Sequence, residues 1–195
     1  MGLGRSPGPL LLHPGTFGGG RGFVTIGNGG GKGGESFSLL ARTAIVNSDT
    51  GVIRAEGSDG SQGSGGGGGG IIILASMGSV TNNGTLSAIG GNGGPSNNTT
   101  GPGGGGGGGI INFLAPVINH GPGAIEMVNG GAAGAVVFQS VTAPFRWGGG
   151  GGGACRGNGG DGGHLDAGIP VTPEDAENGQ PGEVYECRYD PTPLL

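Results

Sequence analysis

Apolar residues in this chain come in short runs cut off by glycine. Ser36-Phe37-Ser38-Leu39-Leu40 alternates and then runs apolar, Ile71-Ile72-Ile73-Leu74-Ala75 is continuous, and Ile110-Ile111-Asn112-Phe113-Leu114-Ala115 repeats that run with one polar interruption. Runs of this length, rich in β-branched residues and bounded by glycine, read as strands with one or both faces buried. A polar turn follows each: Asn47-Ser48-Asp49-Thr50-Gly51, Asn82-Asn83-Gly84 and Asn119-His120-Gly121. Asn and Asp satisfy nearby backbone groups there, and Gly is free to take positive φ. A shorter return strand comes next, at Val52-Ile53-Arg54-Ala55, Thr85-Leu86-Ser87-Ala88-Ile89 and Ala124-Ile125-Glu126-Met127-Val128. The unit is therefore strand, turn, return strand and glycine-rich loop.

The unit repeats. Leu40-Ala41, Leu74-Ala75 and Leu114-Ala115 mark equivalent strands, 34 and 40 residues apart, with the length difference falling in the glycine-rich loops. A fourth, degenerate unit is expected from Ala135-Val136-Val137-Phe138 through Val141, Phe145 and Trp147; a terminal repeat that departs from the pattern is what caps a repeat array. Upstream, Phe17 and Phe23-Val24-Thr25-Ile26 suggest a first short strand. Downstream, Pro173-Glu174-Asp175-Ala176-Glu177 fits one helical turn with Pro at its first position. Glu183-Val184-Tyr185-Glu186-Cys187-Arg188-Tyr189 alternates like an edge strand, and Pro191, Pro193, Leu194 and Leu195 end the chain as an arm. This divides the chain into a lead-in (1–34), a glycine-rich repeat domain (35–163) and a C-terminal arm or cap (164–195).

Gly 57 and Pro 13 make up more than a third of the 195 residues, a level that without periodicity reads as low complexity. Here the glycines are gathered into tracts, Gly65–Gly70 and Gly103–Gly109 among them, at equivalent points in successive units. Flexible linkers are one reading. The equivalent placement favours another, polyglycine II: extended chains with three residues per turn that pack side by side and bond to each other. No stretch has helical periodicity. The expected fold is all-β, a glycine-rich repeat β-solenoid or sandwich with polyglycine II segments and an irregular C-terminal arm.

Charge narrows the function. Charged residues are 11% and the formal net charge is −5, without the basic stripe that nucleic acid requires. Aromatics at 5% are too few for a base-stacking groove. No run approaches the roughly 20 apolar residues of a membrane span, and Leu10-Leu11-Leu12 is too short for the core of an export leader. Met1-Gly2-Leu3-Gly4-Arg5-Ser6 fits the short myristoylation pattern.

Candidate chemistry is sparse. Gly27–Lys32 lacks the flanking residues of a phosphate loop, since Ile26 and Gly33 occupy the deciding places. His13, His120 and His164 lie far apart without a ligand partner at useful spacing. Asp161 and Asp166 sit in a segment that resembles a calcium-binding nonapeptide out of register. Glu35, Glu56, Asp59 and Glu126 fall one per unit with no pairing that would cleave a glycosidic bond. No catalytic residue, metal or cofactor is expected. Cys155 and Cys187 are either a disulfide closing the C-terminal region or two free thiols. The polar loops Ser58–Ser64 and Ser96-Asn97-Asn98-Thr99-Thr100 are the candidate binding loops, small and polar on a rigid scaffold.

The glycine tracts, the run Gly-Gly-Ile-Ile-Ile-Leu-Ala at 69–75 and Asn-Gly-Thr-Leu-Ser-Ala-Ile-Gly-Gly-Asn-Gly-Gly at 83–94 resemble the glycine-rich repeats of phage tail-fibre and virion-surface proteins. They also resemble the phage tail-tip adhesins whose polyglycine II chains form a sandwich. The resemblance spans residues 18–163. It departs from those adhesins where Ile- and Leu-rich strands are inserted, which favours a mixed β-solenoid. It implies a non-enzymatic structural protein on a phage particle, as head decoration or as fibre or tail-tip component, with host attachment as a possible task. The expected partners are further copies of the chain, other virion proteins and a host cell-surface receptor, and the expected location is the virion surface. An extracellular glycine-rich adhesin, an ice-binding module or a self-polymerising fibre subunit is the alternative.

Overall fold

The computed structural model describes residues 29–97, 100–137, 145–166 and 172–189. Within them the chain is all-β. Each unit supplies three strands: β1 (Ser36–Ala41), β2 (Ala44–Asn47) and β3 (Val52–Arg54); then β4 (Ile71–Ser76), β5 (Ser79–Asn82) and β6 (Thr85–Ser87); then β7 (Ile110–Leu114), β8 (Val117–His120) and β9 (Ile125–Met127). Equivalent strands pair in parallel, giving sheets β2-β5-β8 and β3-β6-β9 and a four-stranded sheet β1-β4-β7-β13. Its last member is β13 (Glu183–Cys187), the edge strand that the alternation at 183–189 predicts.

The register sets the core. Ser36 lies opposite Ile71 and Ile71 opposite Ile110, offsets of 35 and 39 residues. The middle Leu-Ala pair is therefore one residue out of line with the other two: Leu74 faces Leu39 and Phe113, and Ala75 lies between Leu40 and Leu114. A one-residue slip would have turned every side chain to the other face. Inward positions stack in columns from rung to rung: Phe37, Ile72 and Ile111; Leu39, Leu74 and Phe113; Ile45, Val80 and Ile118; Ile53 and Leu86. Ile72, Leu74, Val80, Leu86, Ile111 and Phe113 are fully buried and form one cluster. The outer face of the first sheet carries a smaller cluster of Ile73, Ala75 and Leu114.

The glycine tracts are hydrogen-bonded rows. Along row 103–109, successive N–H groups turn to three neighbours in rotation: Gly103, Gly106 and Gly109 donate to Gly94, Gly91 and Ala88; Gly104 and Gly107 to Gly149 and Gly152; Gly105 and Gly108 to Glu177 and Gln180. Its carbonyls accept from three other rows, through Gly66 and Gly69, Gly131 and Gly134, and Gly157 and Gly160. The distances run from 2.7 to 3.1 Å. Glycine is required there because the rows touch backbone to backbone. A Cβ on Gly106 would sit 2.0 Å from the Gly67 carbonyl oxygen.

Rows 64–70 and 103–109 run straight into β4 and β7, and 175–182 into β13. Their far ends are joined by turns. There stands a small antiparallel sheet of β10 (Phe145–Trp147), β11 (His164–Asp166) and β12 (Thr172–Glu174).

Two expectations are corrected. Among the described residues no fourth three-strand unit stacks on the third: Ala135–Val137 form no strand, Phe145–Trp147 belong to the antiparallel sheet, and the place beside β7 is taken by β13. Phe138 and Val141 lie outside the described residues. The helical turn at 173–177 is absent; residues 172–174 are strand β12, and Glu177 N–H donates to the Asp161 carbonyl at 2.8 Å. A proline at a first helical position starts nothing when the next residues are committed to a row of the glycine array. The strand expected at Phe23–Ile26, with Phe17, His13 and the first six residues, also lies outside the described part.

Candidate functional site

The ends of the stacked columns differ. On the first rung they finish in Phe37 and Leu39, 37% and 41% exposed. On the last rung two columns finish in Val184 and Ile118, and three in ionisable groups. The Leu39–Leu74–Phe113 column continues to Glu186, Ile53–Leu86 to Glu126, and Asn47–Asn82 to His120. The three ionisable groups meet. His120 Nδ1 is 3.0 Å from Glu126 Oε1, and its Nε2 is 2.8 Å from Glu186 Oε1. The ring stands edge-on to Phe113, with centroids 5.2 Å apart. Glu186 Oε2 accepts from Arg188 Nη2 at 2.8 Å. Arg188 holds the Glu186 carboxyl below the usual carboxylate range, partial burial opposes it, and His120 adds to the lowering.

Behind this cluster runs a buried amide column. Asn47 Nδ2 donates to Asn82 Oδ1 at 2.8 Å, and Asn82 Nδ2 donates to Glu126 Oε1. Asn82 is completely buried and its Oδ1 also accepts the Gly84 N–H. Every polar atom of that side chain is thus used, as burial demands. Spacing alone does not reveal this site. Glu186 is 66 residues from His120, and only the parallel stacking of rungs brings them together.

A second site lies on the outer face of the first sheet. A cavity of about 540 Å³ is lined by Ile110, Asn112, Cys155, Arg156, Tyr185 and Cys187. Both cysteines are free thiols, Cys155 exposed and Cys187 half-buried. Arg156 lies over the Tyr185 ring, 5.5 Å from its centroid, and its Nε is 2.9 Å from Glu183 Oε2. The hydrogen bond that Arg156 Nε donates to the Tyr185 hydroxyl oxygen is the largest cause raising the Arg156 pKa, followed by the charge of Glu183. Asn112 Oδ1 is buried with no hydrogen-bond partner.

Comparison with protein families, with curated proteins and with solved structures gave no match.

The loop residues proposed for binding sit at the turn end of the glycine rows. Ser96 and Thr100 are buried, at 4% and 0% exposure. The Ser96 hydroxyl accepts the Val137 N–H at 2.6 Å, and Thr100 Oγ1 donates to Asn97 Oδ1 at 2.9 Å. Both hydroxyls are used in holding the turn. Asn97 donates to Gln62 Oε1 at 3.0 Å, which ties the loops at 58–64 and 96–100 together. Asn98 and Thr99 lie outside the described residues. At the same end Trp147 is 54% exposed, its ring 5.2 Å from that of His164. Asp161 is exposed and its carbonyl is used by Glu177. Among the described residues no group of His, Cys, Asp and Glu is placed to hold a metal ion, and no helix is long and apolar enough to cross a membrane.

Proposed function

We propose that the chain is a non-enzymatic structural protein of a phage particle's surface, a head decoration or a fibre or tail-tip component that serves host attachment. In this reading the stacked three-strand units are a short β-solenoid, and the glycine rows associate as polyglycine II. The observation that carries it is row 103–109, where each successive N–H turns to a different neighbouring row. A scaffold bonded through its backbone on every side is stiff, and it leaves its turns to vary without loss of fold. Such division of labour suits a protein that must hold a contact surface away from a particle. The attachment surface is then the turn end of the rows, where Asn97 and Trp147 stand.

Self-association belongs to the same reading. The edges of β1, β2 and β3 carry no further strand among the described residues, and Phe37, Leu39, Val46 and Val52 are exposed along them. Open apolar edges of this kind are normally covered. Light scattering of the purified chain, with negative-stain images of the same peak, tests the reading. A small closed oligomer is expected. Long filaments would replace it with a self-polymerising fibre subunit, and a stable monomer with a solitary extracellular binding module.

A further inference from the structure

The cluster at the last rung joins two parts of the chain through the proton count of one ring. We propose that His120 is a pH-sensitive latch that holds the C-terminal strand β13 against β7. A neutral imidazole donates from one nitrogen and accepts at the other. Here both nitrogens face carboxylate oxygens, Glu126 at 3.0 Å and Glu186 at 2.8 Å. Only the doubly protonated ring donates to both.

The two carboxylates come from different elements. Glu126 is on β9 and is fixed from behind by the buried Asn82 amide. Glu186 is on β13, and Arg188 just beyond that strand holds its other oxygen. Phe113 on β7, edge-on to the ring, is uncharged. With the ring protonated, β13 is clamped through Glu186 to a group anchored in the core. When the ring gives up a proton, one carboxylate faces a nitrogen lone pair. The other keeps only a neutral donor, so the clamp on β13 weakens whichever contact yields. Beneath the latch, β13 is the strand that covers the edge of β7. Loosening it uncovers a row of backbone donors and acceptors, a template for another strand.

The sign of the pH dependence has two limbs. Histidine changes charge across neutral pH, so the latch weakens as pH rises and the ring deprotonates. Glu186 has a lowered folded-state pKa. Its contribution is present above its unfolded pKa and lost as pH falls through the folded value. The latch is strongest between those two limbs.

Hydrogen exchange by NMR on the full chain tests this, reading protection factors for the β13 amides that face β7 against those of β4. From about pH 4 to about pH 9, relative protection of β13 should pass through a maximum and fall about tenfold on each side, the size of one charge-assisted hydrogen bond. H120Q should lose the alkaline limb and keep the acid limb. E186Q should flatten both, because the amide can donate or accept. A flat wild-type profile would overturn the latch, as would an alkaline limb that survives in H120Q. If H120Q does not fold, an alkaline limb unchanged in E186Q overturns it equally.

Discussion

At the scale of single residues, the protein depends on the absence of side chains in its middle. Gly106 and Gly150 show how local that requirement is. A Cβ on Gly106 meets the Gly67 carbonyl oxygen at 2.0 Å, whereas one on Gly150 has Gly160 O as its nearest atom, at 3.7 Å. The carbonyl facing Gly106 is itself hydrogen-bonded to Gly91 N, so it cannot step aside without breaking a second row. Gly106→Ala should lower stability by about 3 kcal/mol or more. Gly150→Ala should leave it unchanged or raise it by about 0.5 kcal/mol, since alanine restricts the unfolded chain. Thermal melts of the two variants separate these outcomes; equal losses would mean that the array tolerates no side chain anywhere. The cysteines give a second residue-scale test. As free thiols differing in exposure, they should react with a disulfide reagent in the native protein at two rates, Cys155 fast and Cys187 slowly. A native disulfide would give no reaction until a reductant is added.

At the scale of elements, the first and third strands of each unit were legible because their apolar runs are flanked by glycine or turn residues. The middle strands were not. Ala44–Asn47, Ser79–Asn82 and Val117–His120 are four residues long and end in Asn, Asn and His. Such residues read as turn formers, yet here Asn47 and Asn82 are buried and stack in register with His120. Asparagine is tolerated inside because the next rung supplies its partner, and a single rung of sequence does not show that. The same limit hid the cluster at the last rung, where Glu186 is separated from His120 by 66 residues. The role of β13 is testable directly. A chain ending at Gly182 leaves β7 with an open edge and removes Glu186 from His120. It should aggregate at concentrations where the full chain does not, as light scattering would record. Equal solubility would mean that β13 is dispensable as an edge cover.

At the scale of the molecule, the glycine rows and the parallel sheets are one cooperative body. The rows are not appended to the strands but are continuous with them, at Gly70–Ile71, Gly109–Ile110 and Gly182–Glu183. Row 103–109 bonds to rows from the second and third units and from the C-terminal segment alike. Unfolding any one unit therefore strips bonds from rows belonging to the others, and the remaining backbone groups would stay buried without partners, a cost of about 1–3 kcal/mol each. Fraying at the turn end while the sheets stay folded would require that cost over several rows at once. The chain carries a single tryptophan, Trp147, at that turn end and opposite the parallel sheets. Its fluorescence reports the far end of the array, while far-UV circular dichroism reports the strands. The two signals should melt at the same temperature in a single transition. A fluorescence change that precedes the loss of strand signal would show that the glycine array and the sheets fold as separate bodies, and the stiffness argued for the scaffold would then stop at the sheet ends.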